Sequence, residues 1–411
     1  MKHLAIITFD IVREDEPEVA FSVASILSYL KGQPGYGQDY EVHHKSVNLS
    51  NSPLRTINWI DLGIDWHAMD FIAVSCYIWS HKQSLGLMRW LKDENVQASI
   101  IAGGYQVNVN DLTTLTRLYP DADHFILGYA ERALYQIIQT GNAPAILQVG
   151  VDFSQIPSPF ITEVISLSNN TSRIRLETKR GCPYECTFCA QHDLDQRKVY
   201  YYLETRLLPE LEHIHKFSPT RISVTDPVFN MGNTYIPYLE QVNSLGMKGV
   251  FNFQVRPELI SRKNDERFLD LIAETESEIE LGIQTFDPAV NAVIKRRNNY
   301  PAIQKTLDAL RDREIKFGIS LIYGLPNQTL KSFENDVDQV SRLGIKNVVA
   351  YPLMFLPGTE MQKHHAGPEY GEEVLGEYAI PHVSYSPSFS NAEWQEMHLL
   401  AGSLNPSGRL F

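Results

Sequence analysis

Short apolar runs alternate with amphipathic stretches through the first 150 residues. Continuous apolar runs are typical of buried strands, and apolar residues three to four positions apart are typical of helices. Alternating strands and helices indicate a parallel sheet with helices on both faces. Residues 1–150 are therefore predicted to form a doubly wound α/β domain, with strands over 3–10, 40–49, 71–79, 98–104 and 124–128 and helices over 17–30, 83–95, 111–118 and 131–140.

The alternation stops between residues 151 and 170, where Pro157 and Pro159 stand among few helix signals, and this stretch is predicted to be a linker. Residues 171–360 resume the pattern and predict a partial barrel of six βα units rather than a complete barrel of eight. Residues 361–411 are predicted to be a C-terminal extension with one helix, because Ser390 and Glu393 form a capping-box pattern. The six barrel strands are expected over 173–178, 221–226, 249–256, 278–285, 316–323 and 347–356.

Charge and composition exclude several classes of protein. The chain has 36 Lys and Arg against 49 Asp and Glu, a net charge of −13 that argues against a nucleic-acid partner. Its longest apolar stretches are shorter than a bilayer span, and its first residues do not resemble a signal peptide, so a cytoplasmic protein without a membrane partner is expected. Four cysteines in 411 residues do not make the disulfide framework of a secreted protein.

Three of the four cysteines lie within eight residues, directly after the first predicted strand of the second domain. Cys182, Cys186 and Cys189 have the spacing C-x3-C-x2-C, and three thiolates so close together converge only around a bound group. A structural zinc ion takes four ligands, of which His192 could supply the fourth. An iron–sulfur cluster held by three thiolates instead keeps one iron open for chemistry. The spacing is not one of the usual zinc spacings.

The cysteine segment resembles the signature loop of the radical SAM superfamily, C-x3-C-x-aromatic-C, with Phe188 at the aromatic position. The resemblance implies a 4Fe–4S cluster on the three cysteines, with S-adenosylmethionine (SAM) on the open iron. Reductive cleavage of SAM would then give a 5′-deoxyadenosyl radical that abstracts a hydrogen atom from the substrate. The family fold is a partial barrel of six strands, which agrees with the strand count.

Further segments at predicted strand ends resemble motifs of the same family. Asp226, in TDPVFN, stands where many members have a Gly-Gly-Glu motif for the SAM amino group, although the glycines and the Glu are absent here. Arg256 ends the third strand and would meet the SAM carboxylate or a substrate. Gln284, in GIQT, would contact the SAM ribose or carboxylate, and Ile322 and Gly324, in ISLIYGLP, would hold the adenine.

The first domain resembles the Rossmann-like, cobalamin-binding-type domain that precedes many radical SAM barrels. The matching segments are SCYIW at 75–79, AGG at 102–104 and GYAE at 128–131. The cobalt-ligating motif Asp-x-His-x-x-Gly is absent, because Asp10 is followed by Ile, Val and Arg, and His67 lies in a different loop. Relatives without that His either bind cobalamin or have lost it, so cobalamin stays open as a third cofactor.

The resemblance implies a radical SAM enzyme that modifies a peptide or a specialised metabolite, as in the biosynthesis of natural products and of ribosomally made, modified peptides. The alternative within the family is a cobalamin-dependent methyltransferase acting on an unactivated carbon or phosphorus. A distant alternative is a non-catalytic zinc-binding module. The expected partners are the substrate and an electron donor such as flavodoxin or ferredoxin.

Overall fold

Two parallel sheets, one in each half of the chain, form the framework. The computed structural model describes residues 1–50, 56–109, 111–191, 197–263 and 265–404. Contacts divide the chain into two units, the first made of Met1–Thr171 with Gly376–Ile380, and the second of Ser172–Leu375 with the chain from Pro381 onward. Each unit contains one six-stranded sheet.

The sheet of the first unit has the strand order β2-β1-β3-β4-β5-β6, and all its neighbouring strands are parallel. The order changes direction between β1 and β3, as in doubly wound folds, which places a crevice at the carboxyl ends of these strands. The doubly wound prediction is confirmed, although the short edge strand β6 was not predicted. The elements are β1 (Lys2–Asp10), α1 (Phe21–Lys31), β2 (Tyr40–Asn48), β3 (Phe71–Ser75), α2 (His81–Asp93), β4 (Ser99–Gly103), α3 (Leu112–Leu118), β5 (His124–Leu127), α4 (Glu131–Thr140) and β6 (Ile146–Gln148).

Residues 151–170, predicted to be a linker, lie within the first unit. They contain one short 3-10 helix, Phe153–Gln155, and bury Phe153, Ile156, Phe160 and Ile165. These apolar side chains pack the segment, and its two prolines interrupt regular structure. The division of the chain into a cobalamin-binding-type domain, a linker, a radical SAM barrel and a C-terminal extension, with the bounds given above, stays a prediction.

The sheet of the second unit has the order β14-β13-β12-β11-β10-β7, so each strand pairs in parallel with its neighbour along this part of the chain. Six such strands make the half-barrel that the strand count predicted. The six strands of the half-barrel are β7 (Arg173–Leu176), β10 (Arg221–Val224), β11 (Phe251–Val255), β12 (Glu278–Gln284), β13 (Phe317–Tyr323) and β14 (Val348–Pro352). Two separate pairs of strands are β8 (Lys179–Arg180) with β9 (Tyr200–Tyr201) and β15 (Gly371–Leu375) with β16 (Ile380–Tyr385). The helices are α5 (Glu204–His215), α6 (Tyr235–Ser244), α7 (Pro257–Lys263), α8 (Glu266–Glu274), α9 (Pro288–Val293), α10 (Tyr300–Asp312), α11 (Leu330–Arg342), α12 (Glu360–His365) and α13 (Asn391–Leu404).

The C-terminal segment contains the predicted helix as α13. Ser390 and Glu393 make the capping box, with the Glu393 carboxylate accepting from the Ser390 amide at 2.8 Å and the Ser390 hydroxyl accepting from the Glu393 amide at 3.3 Å. The helix buries Trp394 and Met397 in a cluster with Tyr323 at the end of β13. The β15–β16 pair and the helix α12 were not predicted. No helix in the described part of the chain combines the length and the apolar character that crossing a membrane requires.

Candidate metal centre

The three clustered cysteines lie in a loop, residues 181–191, that follows β8 beyond the carboxyl end of β7. We call it the cysteine loop. Two distant parts of the chain hold it at Thr187. The Thr187 amide donates to the carbonyl of Ile294 at 3.1 Å, and the Thr187 carbonyl accepts from the Met361 amide at 2.8 Å. The loop is therefore fixed by the segment after α9 and by the start of α12.

The thiols of the loop share one poorly hydrated region. Cys182 and Cys186 are buried, and Cys189 is half-buried. Burial raises the pKa of the Cys182 thiol and raises the pKa of the Cys189 thiol to about 12, and negative charge on Cys186 adds to both effects. Ionised thiolates in this loop therefore require a cationic group for stability.

The spacing of the sulfur atoms distinguishes between kinds of metal centre. Three thiolates on one zinc ion, with bonds of about 2.3 Å, lie about 3.8 Å apart. Within the described ranges, the one group of His, Cys, Asp or Glu with three ligand atoms inside 4.8 Å of one another is in the first unit and contains no cysteine. At least one pair of the sulfur atoms of Cys182, Cys186 and Cys189 is therefore more than 4.8 Å apart, which is wider than on a single zinc ion. His192, the suggested fourth zinc ligand, lies outside the described residues.

Arg296 is a site residue that sequence reasoning missed. Its side chain is buried, and its Nη1 lies 3.9 Å from the Cys186 sulfur. Its Nη2 donates to the Gly282 carbonyl at the end of β12, and its Nε donates to the Asn298 side chain at 3.2 Å. The positive charge lowers the pKa of Cys182 and Cys189 against the larger effect of burial. Arg296 therefore joins the cysteine loop to a barrel strand and supplies positive charge there.

Arg256 also meets the cysteine loop. It follows β11 and is 5% exposed, with its guanidinium carbon 3.7 Å from the centre of the Tyr184 ring. Its Nε lies 3.5 Å from the Glu258 carboxylate. The neighbouring Asn230 accepts from the Arg256 amide at 3.1 Å and donates to its carbonyl at 3.0 Å, which ties the segment after β10 to the end of β11.

Gln284 ends β12 beside Arg296. The strand is irregular between Gly282 and Gln284, and Gln284 has a φ of +72°. A Cβ on Gly282 would lie 2.8 Å from the Gln284 amide nitrogen and 3.6 Å from the Arg296 Nη2. The lack of a side chain at Gly282 thus lets the Gln284 amide and the Arg296 guanidinium approach the same strand end.

Asp226 is directed into the protein. It is fully buried, and its carboxylate accepts from the Thr178 amide at 2.7 Å and from the Thr178 hydroxyl at 2.5 Å. The buried ammonium of Lys179 lies 3.9 Å from the same carboxylate and donates to the carbonyls of Phe229 and Met231. Burial raises the pKa of the Asp226 carboxyl, and Lys179 and Thr178 oppose that shift.

These described contacts of Asp226 are all within the chain, and they hold residues 178 and 179, just before the cysteine loop. They assign Asp226 a structural role at the base of that loop. A contact with the SAM amino group stays a prediction.

The remaining predicted residues lie towards the C-terminal segment. Phe188 and Ile322 are partly buried and pack against the cluster that contains Trp394. Gly324 has a φ of +82°, and a Cβ there would lie 3.2 Å from the Val383 carbonyl and 3.3 Å from the Trp394 indole nitrogen. The structure therefore brings Cys182, Cys186, Cys189, Arg256, Gln284 and Arg296 towards one another and places Phe188, Ile322 and Gly324 beside the C-terminal helix.

The carboxyl edge of the first sheet is built from glycines and aromatic rings. Gly104 has a φ of +117°, and a Cβ there would lie 2.6 Å from the Cys76 carbonyl, so only glycine fits. A Cβ on Gly128 would meet open space. The rings of Tyr77 and Trp79 stack with centres 4.5 Å apart and an interplanar angle of 6°. This edge offers flat apolar faces beside backbone that a ligand can approach.

Comparison with known proteins agrees with the family that the cysteine loop resembles. Residues 176–340 match the model of the radical SAM superfamily. The chain is 24% identical over 344 residues to the cobalamin-dependent radical SAM methyltransferase TokK of Streptomyces tokunonensis, covering 74% of this chain and 49% of TokK. It is 22% identical over 343 residues to 2-(S-pantetheinyl)-carbapenam-3-carboxylate methyltransferase of Streptantibioticus cattleyicolor, with the same two coverages. The chain thus spans about half the length of the curated relatives it matches.

Solved structures match both halves of the fold. The radical SAM methyltransferase TsrM of Kitasatospora setae, solved with cobalamin and a 4Fe–4S cluster, aligns with a TM-score of 0.71 at 13% identity, covering 99% of this chain and 92% of TsrM. The cobalamin-dependent radical enzyme OxsB aligns with a TM-score of 0.61 at 16% identity, covering 100% of this chain and 63% of OxsB. At these identities, the likeness shows the fold alone, a Rossmann-like domain followed by a six-stranded half-barrel.

Proposed function

Because the chain contains a radical SAM domain related to cobalamin-dependent methyltransferases, we propose that it is a radical SAM enzyme that methylates a peptide or a specialised metabolite. The observation that carries this proposal is the cysteine loop. It combines three thiols of the family spacing in one buried region, beside the Arg296 guanidinium.

The residues of the loop fit a 4Fe–4S cluster. Cys182, Cys186 and Cys189 would hold three of its irons, and the Arg296 guanidinium beside Cys186 would compensate negative charge on the thiolates. When bound, the cluster supplies the electron that cleaves SAM into methionine and a 5′-deoxyadenosyl radical. Gln284 and Arg256, at the ends of neighbouring strands, offer an amide and a guanidinium for the polar groups of SAM.

The first unit fits a large flat cofactor such as cobalamin. Cobalamin would lie at the carboxyl edge, where Gly128 leaves the backbone accessible and Tyr77 and Trp79 offer stacked rings. When bound, it supplies a carrier for the methyl group. The names of TokK and TsrM, both methyltransferases, favour this function over hydrogen abstraction alone.

The proposed class of enzyme indicates where the substrate would bind and which proteins would donate the electron. A radical intermediate needs a site without water, and the barrel strand ends are where such enzymes bind their ligands. The electron comes from a flavodoxin or a ferredoxin. A soluble enzyme in the cytoplasm has access to these donors and to reduced thiols.

The test is an anaerobic assay of the reconstituted protein with SAM, hydroxocobalamin and a chemical reductant. Methyl transfer predicts about one 4Fe–4S cluster and bound cobalt per chain, and formation of both 5′-deoxyadenosine and S-adenosylhomocysteine. The first product reports cleavage to the radical, and the second reports loss of the SAM methyl group.

The other outcomes distinguish the alternatives. Formation of 5′-deoxyadenosine without cobalt or S-adenosylhomocysteine would replace methyl transfer by hydrogen abstraction alone. Zinc in place of iron, with no cleavage of SAM, would overturn the radical enzyme altogether.

Replacing Arg296 with methionine is expected to weaken iron binding or SAM cleavage by about 10–100-fold, as for other groups that support metal ligands. The cause is the loss of the positive charge at 3.9 Å from the Cys186 sulfur and of the link to the Gly282 carbonyl. Because a nearby cation favours the more negative, reduced cluster, the midpoint potential should also fall. Iron analysis and a potentiometric titration followed by electron paramagnetic resonance measure both effects.

Arg297→Met is the matched control, since the Arg297 side chain is exposed next to the buried Arg296. Equal potentials and equal iron contents in Arg296→Met and Arg297→Met would show that Arg296 does not support the cluster.

A further inference from the structure

Two histidines and a glutamate of the first unit meet at the amino ends of β1 and β2, at the end of the sheet opposite its carboxyl edge. His3 of β1 pairs in register with Glu41 of β2. His43 lies two positions further along β2, so its side chain is on the same face of the sheet as that of Glu41. All three side chains are partly exposed. We call this group the His3–Glu41–His43 cluster.

The three ligand atoms have the spacing of a mononuclear metal site. His3 Nδ1 is 3.2 Å from His43 Nε2, and the Glu41 Oε2 is 3.9 Å from the first nitrogen and 4.0 Å from the second. The point equidistant from these atoms is roughly 2.2 Å from each, which is the length of zinc–nitrogen and zinc–carboxylate bonds. An ion at that point would lie within bonding distance of all three ligand atoms.

The chemistry of the three groups selects the ion. Two neutral imidazoles and one carboxylate suit Zn²⁺ and neighbouring transition-metal ions, whereas Mg²⁺ and Ca²⁺ prefer oxygen ligands. The imidazole rings are stacked at 5.5 Å between centres. The Asp70 carboxylate accepts from the His3 amide at 2.7 Å and so fixes the backbone that carries the first ligand.

We propose that the His3–Glu41–His43 cluster binds a divalent transition-metal ion, with Zn²⁺ as the physiological type, and that the ion fastens the edge strand β2 to β1. Solvent completes the coordination, because the side chains of His43 and Glu41 are 37% and 42% exposed. The site is independent of the function proposed above, since it uses no residue of the cysteine loop.

The experiment uses full-length protein without a polyhistidine tag, reconstituted so that the cysteines are occupied. Zn²⁺ alone is titrated in competition with a chromophoric chelator, and Co²⁺ is titrated as a spectroscopic probe. One Zn²⁺ per chain should bind at this site, and bound Co²⁺ should show ligand-field bands without sulfur charge-transfer bands. A Zn²⁺-dependent rise in the melting temperature should accompany binding, because an ion that binds only the folded state stabilises it.

Two variants, His43→Asn and Glu41→Gln, should each weaken Zn²⁺ binding at least about tenfold, with melting temperatures in chelator unchanged. His124→Asn, on β5 of the same sheet, is the control and should bind as the parent does. Undiminished binding in both variants, sulfur charge transfer in the Co²⁺ spectrum, or no Zn²⁺ binding by the parent protein would each overturn the proposal.

Discussion

Replacing Cys186 with alanine is expected to abolish both cluster binding and the cleavage of SAM. The two remaining thiols, Cys182 and Cys189, cannot hold a cluster that uses three protein ligands, and the Arg296 guanidinium loses its contact with a sulfur atom. Iron content after anaerobic reconstitution and 5′-deoxyadenosine formation measure the two losses. The same result is expected for Cys182→Ala and Cys189→Ala.

Cys76→Ala is the matched control for this series. Cys76 is also fully buried, but it lies in the first unit, and burial raises the pKa of its thiol to about 12. The control should keep its iron and its cleavage of SAM. If Cys186→Ala retained 5′-deoxyadenosine formation, the three-cysteine mechanism would be wrong.

Replacing Lys179 with methionine is expected to destabilise the protein by about 3–5 kcal/mol, because it leaves the buried Asp226 carboxylate without its cation. Lys179 is 1% exposed, and its ammonium lies 3.9 Å from the Asp226 carboxylate. It also donates to the Phe229 carbonyl at 2.6 Å and to the Met231 carbonyl at 3.0 Å. Urea unfolding followed by circular dichroism measures the loss, and iron content reports whether the neighbouring cysteine loop is disturbed.

The double variant Lys179→Met with Asp226→Asn should recover part of this stability, since the unpaired charge is then gone. Lys331→Met removes the cation of an exposed ion pair with Glu334 and should change stability by less than about 1 kcal/mol. A Lys179→Met protein as stable as Lys331→Met would contradict the structural role assigned to this buried pair.

The order of the barrel elements could be predicted from the sequence because most strands are buried apolar runs and most helices are amphipathic. The helix α6 belongs to the second of the six predicted βα units, and its buried positions have the i, i+3, i+4, i+7 spacing of an amphipathic helix. The strand β6 was missed because three residues, Ile146–Gln148, are too few to show alternation. The strand β6 exists through its pairing with β5 rather than through local preference.

Some residues of the candidate site could be predicted from the sequence, and others could not. The cysteines could be found from spacing, because their ligation depends on residues close together in the chain. Arg296 could not be found, because its relation to Cys186 spans 110 positions and exists only once β12 and the cysteine loop are in place. For Asp226, position at a strand end suggested a ligand contact. The structure adds a role that position alone did not suggest, because Asp226 accepts hydrogen bonds from Thr178, three residues before the cysteine loop, and the predicted contact with SAM stays a prediction.

The two backbone hydrogen bonds that hold the cysteine loop at Thr187 also determine when the loop can take its final shape during synthesis of the chain. The loop emerges from the ribosome soon after β7, the first strand of the half-barrel. Its two backbone anchors at Thr187 come from Ile294 and Met361, which are made much later. A nascent chain that ends before Met361 therefore exposes three thiols on a loop without its final shape. The metal centre can therefore reach its final form only after Met361 has been made, and the three thiols need protection from oxidation until then.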